Sequence, residues 1–343
     1  MAKKRGEIEI QFNWILILVA GALIFIFFFS LIRWASNSSQ ASSSATTSKY
    51  LDSIFTGSSV VKSTVNKIPY VFERIDFTCD DYVVDQSNNR RNIRNKILFA
   101  PTRIEKSELV TWSVSWDVPF RVTNFLFVSS PKIRYIFISS GADNEIYKFF
   151  NKSFPRELNG EFYDPSTNLP PESFQDLNNF KVRFIFVGYN NPDISYVSNL
   201  KRMGGEDVTA LVINGDSMTE SLSLGFYRKS EPANAVSFVE YPRLESLPPT
   251  GIFGAASLIG AVFSERPDDF ICNMKKASDR LVLISKIYRN KAEVLSSSFG
   301  DCSGYYVAAM SGLDLIPASL DSAYLAIKDA NQQLQRKSCP LIY

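Results

Sequence analysis

Lys181-Val-Arg-Phe-Ile-Phe-Val-Gly188 is a short apolar run that stops at a glycine. Lys132-Ile-Arg-Tyr-Ile-Phe-Ile-Ser139 before it and Val208-Thr-Ala-Leu-Val-Ile-Asn214 after it have the same build. None of the three alternates polar with apolar, and each is bounded by turn residues. They read as strands buried on both faces. Glu145-Ile-Tyr-Lys-Phe-Phe150, Pro171-Glu-Ser-Phe-Gln-Asp-Leu177 and Ser195–Met203 fall in the same stretch and suit helices. Strands alternating with helices predict an α/β fold with a mostly parallel, doubly wound sheet. Leu222–Arg228 and Ala235–Tyr241 add strands at one edge.

Upstream the pattern is β. Val110, Trp112, Val114 and Trp116 alternate with Thr111, Ser113 and Ser115, the period of a half-buried strand. The two tryptophans are expected in the core. Downstream the pattern turns helical. Pro267-Asp268-Asp269 makes a helix start, with Pro at the first position and acids in the first turn. Phe270, Met274, Ala277, Leu281, Ile284, Tyr288 and Leu295 follow at helical spacing, and Gly300 ends the run. A second helix, from Pro317, carries Leu320, Tyr324, Ile327 and Leu334. The two are expected to form an antiparallel pair.

At the other end of the chain, Trp14–Ile32 is apolar throughout and carries no charge. It is long enough as a helix to cross a hydrocarbon core of about 30 Å. Lys3, Lys4 and Arg5 precede it, and only Arg33 follows. Positive flanks stay cytoplasmic, so the N-terminus is expected inside and the rest outside. Ser36-Asn-Ser-Ser-Gln-Ala-Ser-Ser-Ser-Ala-Thr-Thr-Ser48 reads as a flexible stalk. The chain thus divides into a cytoplasmic segment 1–13, a transmembrane helix 14–34, a stalk 35–65 and an extracytoplasmic α/β domain 66–343. Within that domain 66–130 is β-rich, 131–250 α/β and 251–343 helical. Asn37 and Asn151 head glycosylation sequons that would face outward.

Lys3-Lys4-Arg5-Gly6, followed by a short polar stretch and the apolar run, resembles the class III signal of archaeal pilins and archaellins. That resemblance implies cleavage after Gly6 and packing of the helix into a filament core. The chain departs from the pattern at Glu7, where the family has Gln, and at Gln11, where it has an acid. The opening Lys3–Trp14 and the closing Ser338–Tyr343 also resemble a group of uncharacterised archaeal single-span membrane proteins. This resemblance implies location and lineage, and no activity.

The chain has 343 residues, a formal net charge of +2 and no histidine. The charge signals no nucleic-acid partner. Without histidine there is no Ser-His-Asp or Cys-His catalysis and no imidazole metal ligand. Val212-Ile-Asn-Gly-Asp-Ser-Met-Thr-Glu220 resembles the first block of GDSL-type esterases, with Ser217 as nucleophile and Gly188-Tyr189-Asn190 echoing a later block. The block order is reversed and the family's histidine has no counterpart. Gly215–Met218 also resembles membrane-anchored Ser–Lys proteases, for which Lys229 is the nearest following lysine. Otherwise the segment reads as a turn. Asp80-Asp81 and Asp268-Asp269 fit no metal-loop spacing, and no cofactor or metal site is expected. Arg90–Lys96 is a basic cluster that reads as a solvated hairpin tip or as a contact for anionic headgroups.

Cys79, Cys272, Cys302 and Cys339 all lie on the expected outer side, which favours two disulfides. An unbroken helix from about 268 to 298 carries its end ~39 Å from Cys272. The four residues to Cys302 reach back at most ~14 Å, so Cys272–Cys302 is excluded. A returning second helix brings Cys339 toward Cys272, which favours Cys272–Cys339 with Cys79–Cys302. The remaining pairing, Cys79–Cys272 with Cys302–Cys339, would require the loop 303–316 to fold back along the helix.

These readings lead to a membrane-anchored, extracytoplasmic binding or scaffolding protein of the cell envelope. Its partners would be the lipid bilayer and envelope or filament proteins. A pilin-like subunit cut after Gly6 and a histidine-free hydrolase using Ser217 are the alternatives.

Overall fold

A computed structural model describes residues 18–30, 46–58, 64–69, 72–85, 90–164, 181–193, 197–215, 217–218, 222–230, 237–242, 254–316 and 318–343. The chain divides into two units, Met1–Leu51 and Asp52–Tyr343. In the first, residues 18–30 are helical and exposed throughout. They lie within the expected span 14–34, whose ends fall outside the described residues, as do Gly6 and Asn37. Among the described residues no helix is long and apolar enough to cross a membrane.

The second unit is mixed α/β, with three sheets and a C-terminal helical array. The expected stalk 35–65 is helical over 46–58 (α1), of which 52–58 belong to this unit. There Phe55 is fully buried, its ring 6.3 Å from Phe77 and 5.5 Å from Tyr82. Burying such a side chain contributes about 1.5–3 kcal/mol, enough to draw the segment out of solvent.

Two four-stranded sheets follow. One runs β1 (Val65–Ile68), β7 (Leu109–Asp117), β8 (Arg121–Ser129), β5 (Leu98–Phe99). The other runs β4 (Arg90–Asn92), β3 (Asp81–Val84), β2 (Arg74–Phe77), β6 (Arg103–Glu105). Trp112 and Trp116 are core residues, as expected. The expected half-buried strand is corrected: Thr111 and Ser113 are also buried, so β7 is covered on both faces at its start. The basic cluster 90–96 begins in β4, where Arg90 pairs with Asp81 at 3.5 Å and Arg94 with Asp80 at 3.6 Å.

The third sheet has the order β10 (Asn159–Tyr163), β9 (Ile133–Ser139), β11 (Lys181–Val187), β12 (Val208–Asn214), β13 (Ser223–Lys229), β14 (Phe238–Glu240). β10, β9, β11 and β12 pair in parallel, and β13 and β14 join antiparallel; β9, β11, β12 and the two edge strands follow the sequence pattern, whereas β10 is not among the expected strands. On one face Phe137 meets Phe150 of α2 (Glu145–Ser153), ring to ring at 5.1 Å. The other face packs Ile136, Phe184, Phe186 and Val212 against Val197, Leu200 and Met203. Of the helix expected over 195–203, Ser198–Arg202 forms one 3-10 segment. The segment 171–177 lies outside the described residues.

Phe263 ends α3 (Gly254–Phe263) and stands between the β1-β7-β8-β5 sheet and the six-stranded sheet. Its ring lies 5.4 Å from Phe127 of β8 and 5.5 Å from Tyr135 of β9. Gly260 permits this approach, because a Cβ there would sit 2.9 Å from the Phe99 ring.

The C-terminal helices correct the expected antiparallel pair. α4 (Pro267–Ser298) runs unbroken, as expected, and buries Phe270, Met274, Ala277 and Leu281. The segment read as loop 303–316 is instead a helix, α5 (Ser303–Asp314), packed on α4 and on α6 (Leu320–Arg336). Gly312 lets α5 and α6 close, since a Cβ there would meet Ile327 Cγ1 at 3.0 Å. Twelve residues of α5 return only ~18 Å along α4 before α6 reverses the chain again. Cys339 therefore comes back to the Cys302 end, and the favoured pairing Cys272–Cys339 with Cys79–Cys302 is overturned. The disulfides are Cys79–Cys272 and Cys302–Cys339, with Cα separations of 6.1 and 6.4 Å. The tail after Cys339 is held in place: Lys291 Nζ donates to Ile342 O at 2.9 Å, and Tyr306 Oη donates to Pro340 O at 2.8 Å.

Candidate functional site

In an open parallel sheet, ligands are expected between two adjacent strands whose outgoing connections run in opposite directions. β9 is followed by β10 on one side and β11 by β12 on the other, so this crevice falls between the carboxyl ends of β9 and β11. The sequence-singled loops converge there. Gly188, at φ +77°, follows β11, and a Cβ on it would collide with Ser140 Oγ. Tyr189 Oη donates to Ser139 O at 3.1 Å, and Asn214 Nδ2 donates to Asn190 Oδ1 at 2.7 Å. Asn144 caps α2 by accepting from the Ile146 and Tyr147 amides, and donates from Nδ2 to Gly215 O at 3.3 Å. The helix N-terminus that could hold an anion is thus occupied by its own cap, and Asp143 and Glu145 add negative charge beside it. These groups tie three loops together.

Ser217 lies just past β12 at this end. Lys229 lies at the other end of the β12–β13 pair, since Asn214 faces Ser223 while Thr209 faces Arg228. Five or more residues of strand separate the two by roughly 15–20 Å. Lys229 Nζ instead donates to Met203 O at 2.7 Å. The loops carrying Gly188 and Asn190 meet the end of β12, through Gly188 N to Ile213 O at 2.8 Å and Asn214 to Asn190, while Lys229 lies at the far end of the β12–β13 pair.

The open hollow is at the opposite, amino end of the parallel sheet, with a volume of about 620 Å³. The register places the strand starts side by side there: Lys181 N donates to Lys132 O at 3.0 Å, and Val182 N to Asp207 O at 2.8 Å. Lys132, Lys181, Arg202 and Arg103 line it, together with Glu105, Asp207 and the apolar side chains of Ile104, Ile133 and Met203. Sequence reasoning missed this site, because its cations come from four segments that no motif connects.

Beneath it lies a buried charge network. Lys181 Nζ pairs with Glu265 Oε1 at 2.7 Å, and the Thr102 amide donates to Glu265 Oε2 at 3.0 Å. Burial opposes ionisation of Glu265, but the charge and hydrogen bond of Lys181, with help from Thr102 and Arg183, hold its carboxyl below the ordinary range. Arg183 is 1% exposed. It donates to Val262 O at 2.7 Å, Ala261 O at 3.0 Å, Ser264 O and Thr209 Oγ1. A guanidinium on the last carbonyls of α3 satisfies acceptors the helix leaves open and complements its dipole.

Cys79, Asp80 and Cys272 form the one described grouping with metal-ligand proximity, but its two sulfurs are bonded to each other. Asp80 pairs with Lys276 at 3.3 Å, and Asp269 with Arg266 at 2.8 Å. Asn151 is exposed on α2, and Ser153 of its sequon donates to Phe149 O. Compared with known proteins, the chain matches no family, no curated protein and no solved structure.

Proposed function

We propose that this protein is a single-span membrane protein that presents its α/β unit outside the cytoplasm as a non-catalytic binding or scaffolding module of the cell envelope. The observation that carries the reading is the helix over 18–30. Leu18, Val19, Leu23, Ile24 and Phe25 to Phe29 are each 50% to 72% exposed. An apolar surface on every side of a helix finds its solvent in lipid. Each Leu, Ile, Phe or Val contributes roughly 0.3–0.6 kcal/mol to insertion at the bilayer centre. Lys3, Lys4 and Arg5 orient the span, and two disulfides suit an oxidising exterior. Exposed Asn151 would then be open to glycosylation.

The test is alkaline carbonate extraction of a membrane fraction. The full chain is expected to stay in the pellet, and a variant lacking residues 14–32 to appear in the supernatant. Release of the full chain by carbonate would refute the anchor.

A further inference from the structure

We propose that the hollow at the amino ends of β9, β11 and β12 binds a small organic or inorganic polyanion carrying at least two carboxylate or phosphate groups. Its volume of about 620 Å³ lies within the usual range for small-molecule sites. Four cationic side chains reach it from four separate segments: Arg103 on β6, Lys132 before β9, Lys181 at the start of β11, and Arg202 before β12.

The surrounding acids cancel only part of this charge. Asp76 is shared by two arginines, Arg74 at 2.6 Å and Arg103 at 3.2 Å. Glu265 is enclosed by Lys181 and the buried Arg183. Among the described residues no carboxylate lies within ion-pair distance of Lys132 or Arg202, and both are exposed. Counting Arg74 and Arg183 with the four lining cations, and Asp76 and Glu265 with Glu105 and Asp207, the cluster carries a net excess of two positive charges, six minus four. A single anion would satisfy only part of that excess. Two or more anionic groups on a compact skeleton satisfy it, with Ile104, Ile133 and Met203 against the skeleton. Charge-assisted hydrogen bonds from arginine and lysine are the strong contacts such a ligand would use.

This assignment adds a ligand class to the binding-module reading and does not depend on membrane topology. The assay uses the full chain in detergent micelles, so its failure leaves the anchor untouched. Citrate and inorganic pyrophosphate are titrated calorimetrically at low salt, and the tighter of the two distinguishes a carboxylate from a phosphate ligand. Saturable one-to-one binding is expected. The Lys132→Gln/Arg202→Gln variant is expected to bind at least about tenfold more weakly. The charge-keeping Lys132→Arg/Arg202→Lys variant is expected to retain binding, as is Lys148→Gln, whose lysine lies on α2. No saturable binding of either probe overturns the assignment. So does equal binding by the Gln/Gln variant, an equal loss in Lys148→Gln, or loss in the charge-keeping variant.

Discussion

Lys181 Nζ lies 2.7 Å from Glu265 Oε1, joining the central strand of the parallel sheet to the corner between α3 and α4. Glu265 is nearly inaccessible, so its charge is held by this partner and by Thr102. Lys181→Met is expected to destabilise the fold by about 3 kcal/mol, the usual cost of stranding one member of a buried pair. The pH dependence has a definite sign. A carboxyl depressed in the folded state contributes stability above its ordinary pKa of 4.5, and that contribution is lost as pH falls through the folded value. Denaturation midpoints between pH 7 and 3 should show this acid limb in the parent. In Lys181→Met the limb should shrink. An unchanged limb would place the depression elsewhere.

Arg183 sits in the middle of a buried strand and donates to the last carbonyls of α3. Arg183→Met keeps much of the volume but leaves these oxygens without their donor. A loss of about 3 kcal/mol is expected from urea unfolding, with an unchanged slope. A loss under about 0.5 kcal/mol would show that the carbonyls find other partners.

Non-reducing peptide mapping should recover Cys79 joined to Cys272, and Cys302 joined to Cys339. In the chain-entropy picture, closing separations of 193 and 37 residues contributes on the order of 5 and 4 kcal/mol respectively. Cys79→Ser/Cys272→Ser should therefore lower stability at least as much as Cys302→Ser/Cys339→Ser. A peptide joining Cys272 to Cys339 would contradict the three-helix arrangement.

The parallel sheet was legible because Ile133–Ser139, Lys181–Val187 and Val208–Asn214 are apolar without alternation, which only a doubly covered strand tolerates. α4 was legible from its proline start and long stripe. α5 was not: Gly304 and Gly312 weaken its helical signal, although Gly312 is what lets α6 approach. Missing α5 reversed the direction assigned to α6, and the disulfide pairing failed with it. Thr111 and Ser113 read as a solvent face because hydroxyl side chains alternate with apolar ones there, yet both are covered. Arg183 is a charge within an apolar run, but its acceptors lie about 80 residues away and carry no side-chain signature. The hollow depends on register and packing among four segments, so nothing local in the sequence announces it.

The most direct measurement of the central claim is protease treatment of intact cells, followed by detection of each end of the chain. Digestion should remove the unit from Asp52 to Tyr343 without permeabilisation and leave a short N-terminal fragment protected. Full protection of the C-terminal unit until the membrane is opened would contradict an outward-facing module.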